Sequence, residues 1–245
     1  FLLLNGDNHP AVATSYSYIG QIYFAQNDYS KALDYFKKSL NLDLSFFGEN
    51  HPEVASGYYN IGYVYFAQGD YSKALEYFEE VLKIRLSVYG ENHSRVASVY
   101  NDIGEIYSVQ GDDFKALDYF KKSLKIVLSV YGENHSQVSS IYDHIGEVYF
   151  AQKDYSKALY YFEESLKIRL SLFGENHPEV ALSYYSIGSL YIIQGDKSKA
   201  LNYYEKSLKI RLSVYGENHP LTKEIMDLIN VAANSKVLQS PETTK

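Results

Sequence analysis

Cysteine is absent from this chain of 245 residues, and methionine occurs once, at Met226. Without cysteine the protein can form neither disulfides nor thiolate metal sites, and a reducing compartment is permitted. We expect a cytoplasmic location. The chain does not begin with methionine either, and we expect it to be an excerpt of a longer protein.

An excess of positive charge and a long apolar run are also missing. The formal net charge is -7, whereas sequence-independent binding of nucleic acid requires a basic surface. No segment approaches the roughly 20 apolar residues that a membrane-spanning helix needs. The short run from Phe1 to Leu4 has neither a charged leader nor a cleavage site, so it is not typical of a signal peptide. We expect neither nucleic acid nor a membrane among the partners.

What the chain does contain is a repeat. A motif of Gly, Asp or Glu, Asn, His, then Pro or Ser begins at residues 6, 48, 90, 132, 174 and 216, at a constant step of 42 residues. A fixed period of this size predicts an array of similar units. In such an array each unit buries its apolar face against its neighbours, and no single globular core forms.

The unit from His51 to Gly90 predicts two helices. Pro52 suits the first position of a helix, and Glu53 complements the helix dipole there. Gly69 is a favourable end for this helix, and Asp70 a favourable cap for the next one. Apolar side chains follow at helical spacing in both segments: Val54, Tyr58, Ile61, Tyr65 and Phe66, then Ala74, Leu75, Phe78, Leu82, Ile84 and Leu86. Each repeat is therefore predicted to be a hairpin of two antiparallel helices.

Small residues recur inside both predicted helices. In the unit described above, Gly62 is the recurring glycine of the first helix and Ala74 is the recurring alanine of the second. A glycine inside a helix costs about 1 kcal/mol relative to alanine. Its recurrence predicts a close approach of the two helices, with the glycine facing the alanine and Tyr and Phe filling the space around them.

This pattern resembles the tetratricopeptide repeat. Its aromatic, Leu-Gly, Tyr, Ala, Phe and small positions correspond here to Tyr58, Ile61-Gly62, Tyr65, Ala74, Phe78 and Val81. The 42-residue period and the Gly-x-x-His-Pro-x-Val-Ala motif at Gly48 to Ala55 and Gly174 to Ala181 resemble the kinesin-light-chain-like subfamily. The resemblance implies an all-α fold, a right-handed α-solenoid of antiparallel helical hairpins.

The repeat register predicts four segments. Residues 1–8 are interpreted as the end of a truncated preceding repeat, and residues 9–215 as five 42-residue hairpins. Residues 216–235 are predicted to form a capping helix, because a solenoid needs a polar end. Residues 236–245 are predicted to be a disordered tail.

The histidines do not indicate a metal site or a catalytic site. Six of the seven recur at the repeat period in the predicted loops, too far apart to converge on one ion, so a structural or capping role is favoured. His144 alone departs from the period, and it is interpreted as a binding-surface or solvated residue. No nucleophile elbow or phosphate-binding loop is present. We expect no enzymatic activity, no cofactor and no metal.

The resemblance also implies where ligands bind, since first helices of the family line a concave groove. By register, the positions that differ between repeats form the candidate peptide-binding groove: Tyr18, Gln21, Tyr59, Asn60, Tyr63, Asn101, Asp102, Glu105, Asp143, His144, Glu147 and Tyr185. None of them is Lys or Arg. The predicted groove is acidic in its middle and aromatic toward one side.

The sequence therefore predicts a non-enzymatic scaffold that binds a protein, as an extended peptide or a partner helix, through this groove. Acidic and aromatic side chains favour a basic or amide-rich segment, because Tyr can stack on Arg. Two other functions stay open. The chain could be a structural spacer or oligomerisation arm with weak self-association through its repeat ends, or a regulatory sensor segment of a larger multidomain protein.

Overall fold

A computed structural model describes residues 10–234 of the chain, and within this range helices, joined by short turns, are the regular secondary structure. Eleven helices cover this range in chain order: α1 Pro10–Ala25, α2 Tyr29–Phe47, α3 Pro52–Ala67, α4 Tyr71–Tyr89, α5 Ser94–Val109, α6 Asp113–Tyr131, α7 Ser136–Ala151, α8 Tyr155–Phe173, α9 Pro178–Ile193, α10 Lys197–Tyr215 and α11 Pro220–Asn234. The predicted residues 1–8 and 236–245 lie outside the described range.

Helices pair in order of sequence. Each first helix of a pair has 16 residues and each second helix 19, and a short turn joins them. The two helices of a pair pack along one another, and the second helix of a pair contacts the first helix of the next within each unit described below. Short connections between packed helices produce antiparallel hairpins. The all-α array of hairpins is confirmed.

The second helices begin at an aspartate cap, as predicted for Asp70. The backbone N–H of Lys73 donates to Oδ1 of Asp70 at 3.3 Å, and Asp28, Asp112, Asp154 and Asp196 cap their helices in the same way. Such a bond satisfies one of the N–H groups that a helix start leaves without an intrahelical partner. The start of each second helix is thus specified locally.

The loop histidines cap the first helices. Nδ1 of His51 accepts the backbone N–H of Glu53 at 3.2 Å, and the His51 ring stacks on Phe47 with centroids 4.1 Å apart. The same cap recurs at the other repeated histidines of the described range: His93, His135, His177 and His219. The predicted structural role of these histidines is confirmed, while His9 lies outside the described residues.

The turn inside each hairpin requires one residue in the left-handed backbone conformation, with a positive φ angle. Gly69 has φ 78° there, whereas the first and fourth repeats use Asn27 at φ 59° and Lys153 at φ 63°. Asparagine adopts this conformation more readily than other non-glycine residues, and lysine carries more strain. A helix end was predicted at Gly69, and the observed turn has the conformation that favours glycine.

Except at Gly62, the recurring helix-interior glycines face an aromatic ring of the second helix rather than an alanine side chain. A Cβ added to Gly104 would lie 2.7 Å from Cδ1 and Cε1 of Phe120, and one on Gly146 would lie 2.7 Å from Cε1 of Phe162. A Cβ added to Gly188 would lie 2.7 Å from Cδ1 of Tyr204 and 3.3 Å from the carbonyl oxygen of Ala200. The predicted close approach is present, but it is the aromatic side chain of the second helix that occupies the space.

The chain divides into two compact units, one ending at Gly132 and the other starting at Glu133. The first contains α1 to α6, around a core that includes Phe78, Ile61 and Ile103. The second contains α7 to α11, around Phe162, Ile187 and Leu190. No helix within residues 10–234 is both long and apolar enough to cross a membrane.

Candidate functional site

The predicted groove positions of the first two repeats lie together in the first unit. Helices α1 and α3 carry five of these positions, which we call the α1–α3 groove: Tyr18, Gln21, Tyr59, Asn60 and Tyr63. One cavity of 360 Å³ is lined by Tyr18, Gln21 and Asn60, with other residues of α1 to α3. A second cavity of 240 Å³ is lined by Gln21, Tyr59, Asn60 and Tyr63, with Phe24 and Phe36. Gln21 and Asn60 line both cavities, so the two are neighbours.

Aromatic rings form one wall of the α1–α3 groove. Tyr63 stacks on Tyr59 with centroids 6.3 Å apart and contacts Phe24 at 5.4 Å. Tyr63 is 45% exposed and Tyr18 62%. Because tyrosine combines apolar area with a polar hydroxyl and few rotatable bonds, exposed tyrosines suit a binding surface.

The carboxyl group of Asp102 in α5 is largely buried, and other titratable side chains lie near it. Its Oδ2 atom is buried and accepts no hydrogen bond within the described range. Burial first, and the charge of Glu105 second, raise the pKa of Asp102 to about 7, although Arg85 and the Tyr59 hydroxyl act in the opposite direction. Asp102 is therefore not the solvated anion that its sequence position suggests.

Two charged side chains, Glu105 and Arg85, lie near Asp102. Asn101 donates to Oε1 of Glu105 at 2.6 Å, and burial raises the pKa of Glu105. The guanidinium of Arg85 in α4 lies 5.4 Å from the centre of the Tyr59 ring and donates to the carbonyl oxygen of Arg95 at 2.9 Å. The predicted positions Tyr59, Asn101, Asp102 and Glu105 thus share one neighbourhood with a cation.

Asp102 predicts a pH-dependent stability. The native carboxyl binds its proton up to about pH 7, whereas an unfolded aspartate releases it near 3.8. Between these values the native state binds more protons than the unfolded state, so this residue's contribution to stability falls as pH rises from about 4 to 7. We compare the free energy of unfolding of Asp102→Asn with that of wild type at each pH. We expect this difference to be at least about 1 kcal/mol more favourable to Asp102→Asn at pH 8 than at pH 5.

Chemical denaturation at both pH values measures this difference. The matched control is Asp118→Asn, because Asp118 is exposed and pairs with Lys122 at the surface. Its stability relative to wild type should hardly change between the two pH values. An equally flat response of Asp102→Asn would contradict the buried-proton interpretation.

In the second unit the carboxylate of Asp143 is paired with a cation. Nη2 of Arg169 in α8 lies 2.7 Å from Oδ2 of Asp143 and 3.1 Å from Oε2 of Glu179. Nη1 of Arg169 donates to Oγ of Ser183 at 2.8 Å. Burial raises the pKa of Asp143, and Arg169 counteracts that rise. The charge of Asp143 is therefore balanced within the protein.

The remaining predicted positions of the second unit differ in exposure. His144 is partly buried rather than solvated, and burial lowers its pKa despite the nearby carboxylates of Glu147 and Asp143. Glu147 is exposed. The Tyr185 hydroxyl donates to Oε1 of Glu224 at 3.2 Å, and the Arg211 guanidinium lies 5.1 Å from the Tyr185 ring centre.

Within residues 10–234 no three His, Cys, Asp or Glu side chains are grouped so that they could hold a metal ion.

Sequence reasoning missed one set of residues, because it compared repeats only along the first helices. One position of the second helices varies between repeats, being arginine in three of them and another residue in two: Asp43, Arg85, Val127, Arg169 and Arg211. Its three arginines supply the cations beside Tyr59, Asp143 and Tyr185. The same search for positions that differ between repeats, applied to the second helices, would have found it.

Comparisons with known proteins agree on the repeat. The family model described as "Tetratricopeptide repeat" matches residues 2–45, 42–87, 53–129, 95–171 and 137–213. None of the curated proteins matches the sequence.

Several solved structures share the fold. BtubC (BKLC) from P. vanneervenii is 24% identical at a TM-score of 0.74, over 86% of this chain and 84% of that one. A putative kinesin light chain from Podosopora anserina with nearly identical TPR-like repeats is 16% identical at a TM-score of 0.70, over 84% of this chain and 98% of that one. The Rap conjugation gene regulator of plasmid pLS20, in complex with the Phr* peptide, is 17% identical at a TM-score of 0.70, over 91% of this chain and 59% of that one.

Proposed function

This chain belongs to the tetratricopeptide repeat family, and from that premise we propose that it is a non-enzymatic scaffold that binds a protein partner through an extended peptide segment. Proteins of this family typically act as interaction scaffolds rather than as enzymes. The Rap regulator, which has the same fold, is in complex with a peptide in its structure. A cytoplasmic location stays a prediction from the sequence.

The α1–α3 groove is the proposed centre of peptide binding. The observation that carries the proposal is the pair of neighbouring cavities of 360 and 240 Å³ beside exposed Tyr18 and Tyr63. Ligand pockets in proteins have volumes of about 300–1,000 Å³ and combine apolar walls with a few polar groups. The tyrosines supply the wall, and the amides of Gln21 and Asn60 supply hydrogen bonds to a peptide backbone.

The proposed ligand segment is basic or amide-rich. Two carboxylates, Asp43 and Glu53, line the larger cavity, and Tyr rings can stack on a guanidinium. Of the acidic positions predicted further along the chain, Asp102 is largely buried with its pKa raised to about 7, and Asp143 is paired with Arg169. Attraction of a basic segment is therefore proposed chiefly for the α1–α3 groove.

The proposal is tested by capture from a peptide library with the full chain. Tyr63→Ala should weaken capture of the selected peptides by roughly tenfold, the usual cost of losing an aromatic anchor of an interface. Phe114→Ala is the matched control, because Phe114 is an aromatic residue of the same unit that is 84% exposed and does not line either cavity. Equal capture by wild type and Tyr63→Ala would place peptide binding elsewhere.

A further inference from the structure

The second-helix position that varies between repeats shows how this array binds a guanidinium. Arg85, Arg169 and Arg211 all reach toward the first helix of the following hairpin. Nη1 of Arg85 donates to the carbonyl oxygen of Arg95 at 2.9 Å, and Nη1 of Arg211 donates to that of Leu221 at 2.6 Å. Residues 95 and 221 occupy one register position, which is also that of Glu179, the second carboxylate partner of Arg169.

The first repeat has a carboxylate at this position. Asp43 replaces the arginine, and its side chain lines the 360 Å³ cavity of the α1–α3 groove. Asp43 is only 8% exposed, and it forms no ion pair with a described residue. The hydroxyl group of Ser39, four residues earlier, donates its hydrogen bond to the carbonyl oxygen of Ala13 at 2.7 Å. A buried carboxylate without a cation is costly.

The surroundings of Asp43 keep one carboxylate partner of Arg169 and replace its two other partners by smaller residues. Glu53, the register equivalent of Glu179, also lines the cavity. Gly57 stands where Ser183 contacts Arg169, and Ser17 stands where Asp143 does. Both substitutions shorten side chains around the space. The second unit fills the equivalent space with its own guanidinium, whereas the first unit leaves a cavity with two carboxylates.

Electrostatics agree with a missing cation. Burial first, and the charge of Glu53 second, raise the pKa of Asp43 to about 6, while the nearby His51 and Ser39 act in the opposite direction. An entering positive charge would offset the cost of burying the Asp43 carboxylate and would reduce the repulsion between Asp43 and Glu53.

We propose that this cavity receives the guanidinium of an arginine side chain from the bound peptide, held by Asp43 and Glu53 as Arg169 is held by Asp143 and Glu179. The inference rests on the proposed peptide-binding function and adds its specificity. Arginine is favoured over lysine because its planar fork presents several N–H donors to two carboxylates at once. The exposed ring of Tyr18, which also lines the cavity, is available to stack on it.

The test uses the full chain and three pools of short peptides that differ only in the central residue, which is arginine, lysine or citrulline. Citrulline keeps the shape of arginine without its charge. Wild type should bind the arginine pool roughly tenfold more tightly than the other two, as expected for charge-assisted hydrogen bonds. Asp43→Arg, which fills the cavity as Arg169 does, should abolish the preference, and Asp43→Asn should reduce it. Asp34→Asn, an exposed aspartate on the same helix, should leave it unchanged.

The outcomes separate the two proposals. Equal binding of all three pools, with loss of binding in Tyr63→Ala, overturns the arginine site and leaves the peptide-binding function intact. A preference for arginine that persists in Asp43→Arg also overturns the site. Failure of every pool to bind wild type overturns both. Circular dichroism spectra and thermal midpoints like those of wild type show that the variants are folded.

Discussion

Replacing Gly104 by valine is expected to destabilise the protein by about 3 kcal/mol, at the upper end for overpacking a core. A Cβ at this position of α5 would lie 2.7 Å from two ring carbons of Phe120. Phe120 is 1% exposed, so its ring cannot turn aside into solvent and its buried neighbours would have to move. The measurement is the free energy of unfolding from chemical denaturation.

Two comparisons isolate the ring contact. At Gly62, the same position one repeat earlier, an added Cβ would meet Cβ of Tyr77 at 3.1 Å and the Phe78 ring only at 3.6 Å. Gly62→Ala should therefore cost less than Gly104→Ala, because the gain in helix propensity of about 1 kcal/mol offsets a milder contact. Lys125→Val, at an exposed position of α6, should stay within about 0.5 kcal/mol of wild type. Equal losses at Gly62 and Gly104 would show that the Phe120 ring does not limit the site.

Replacing Arg169 by methionine is expected to cost about 3–5 kcal/mol at neutral pH, the usual effect of removing one partner of a buried ion pair. The Arg169 side chain is 5% exposed and that of Asp143 17%. Without the guanidinium, Asp143 has to stay charged in a poorly solvated place or take up a proton. Chemical denaturation of the full chain measures the loss.

The double variant Arg169→Met/Asp143→Leu supplies the matched control. Replacing both partners by apolar side chains removes the unpaired charge, so most of the lost stability should return. Lys167→Met should change little, because Lys167 is exposed and its contact with Glu164 is 3.6 Å long. A double variant as unstable as Arg169→Met would mean that Arg169 acts mainly through packing.

The α1–α3 groove was only partly accessible to sequence reasoning. Register placed Tyr18, Gln21, Tyr59, Asn60 and Tyr63 on first helices, and the structure places them beside two cavities. Their role in binding stays a prediction. Comparison of the second helices would have singled out Asp43 as a variable position, but only the structure shows that its side chain lines a cavity together with Glu53 of the next hairpin.

The amino-acid sequence by itself determined the hairpins. The 42-residue period, the cap at Asp70 and the turn at Gly69 act within a few residues, so they could be recognised without coordinates. Only the tertiary structure decided which side chain meets Gly104 and which carboxylates keep their charge. Phe120 lies 16 residues from Gly104, and Arg169 lies 26 residues from Asp143. Whether such pairs meet depends on how helices pack, and burial and distance then control both the space at the glycine and the pKa of the carboxyl groups.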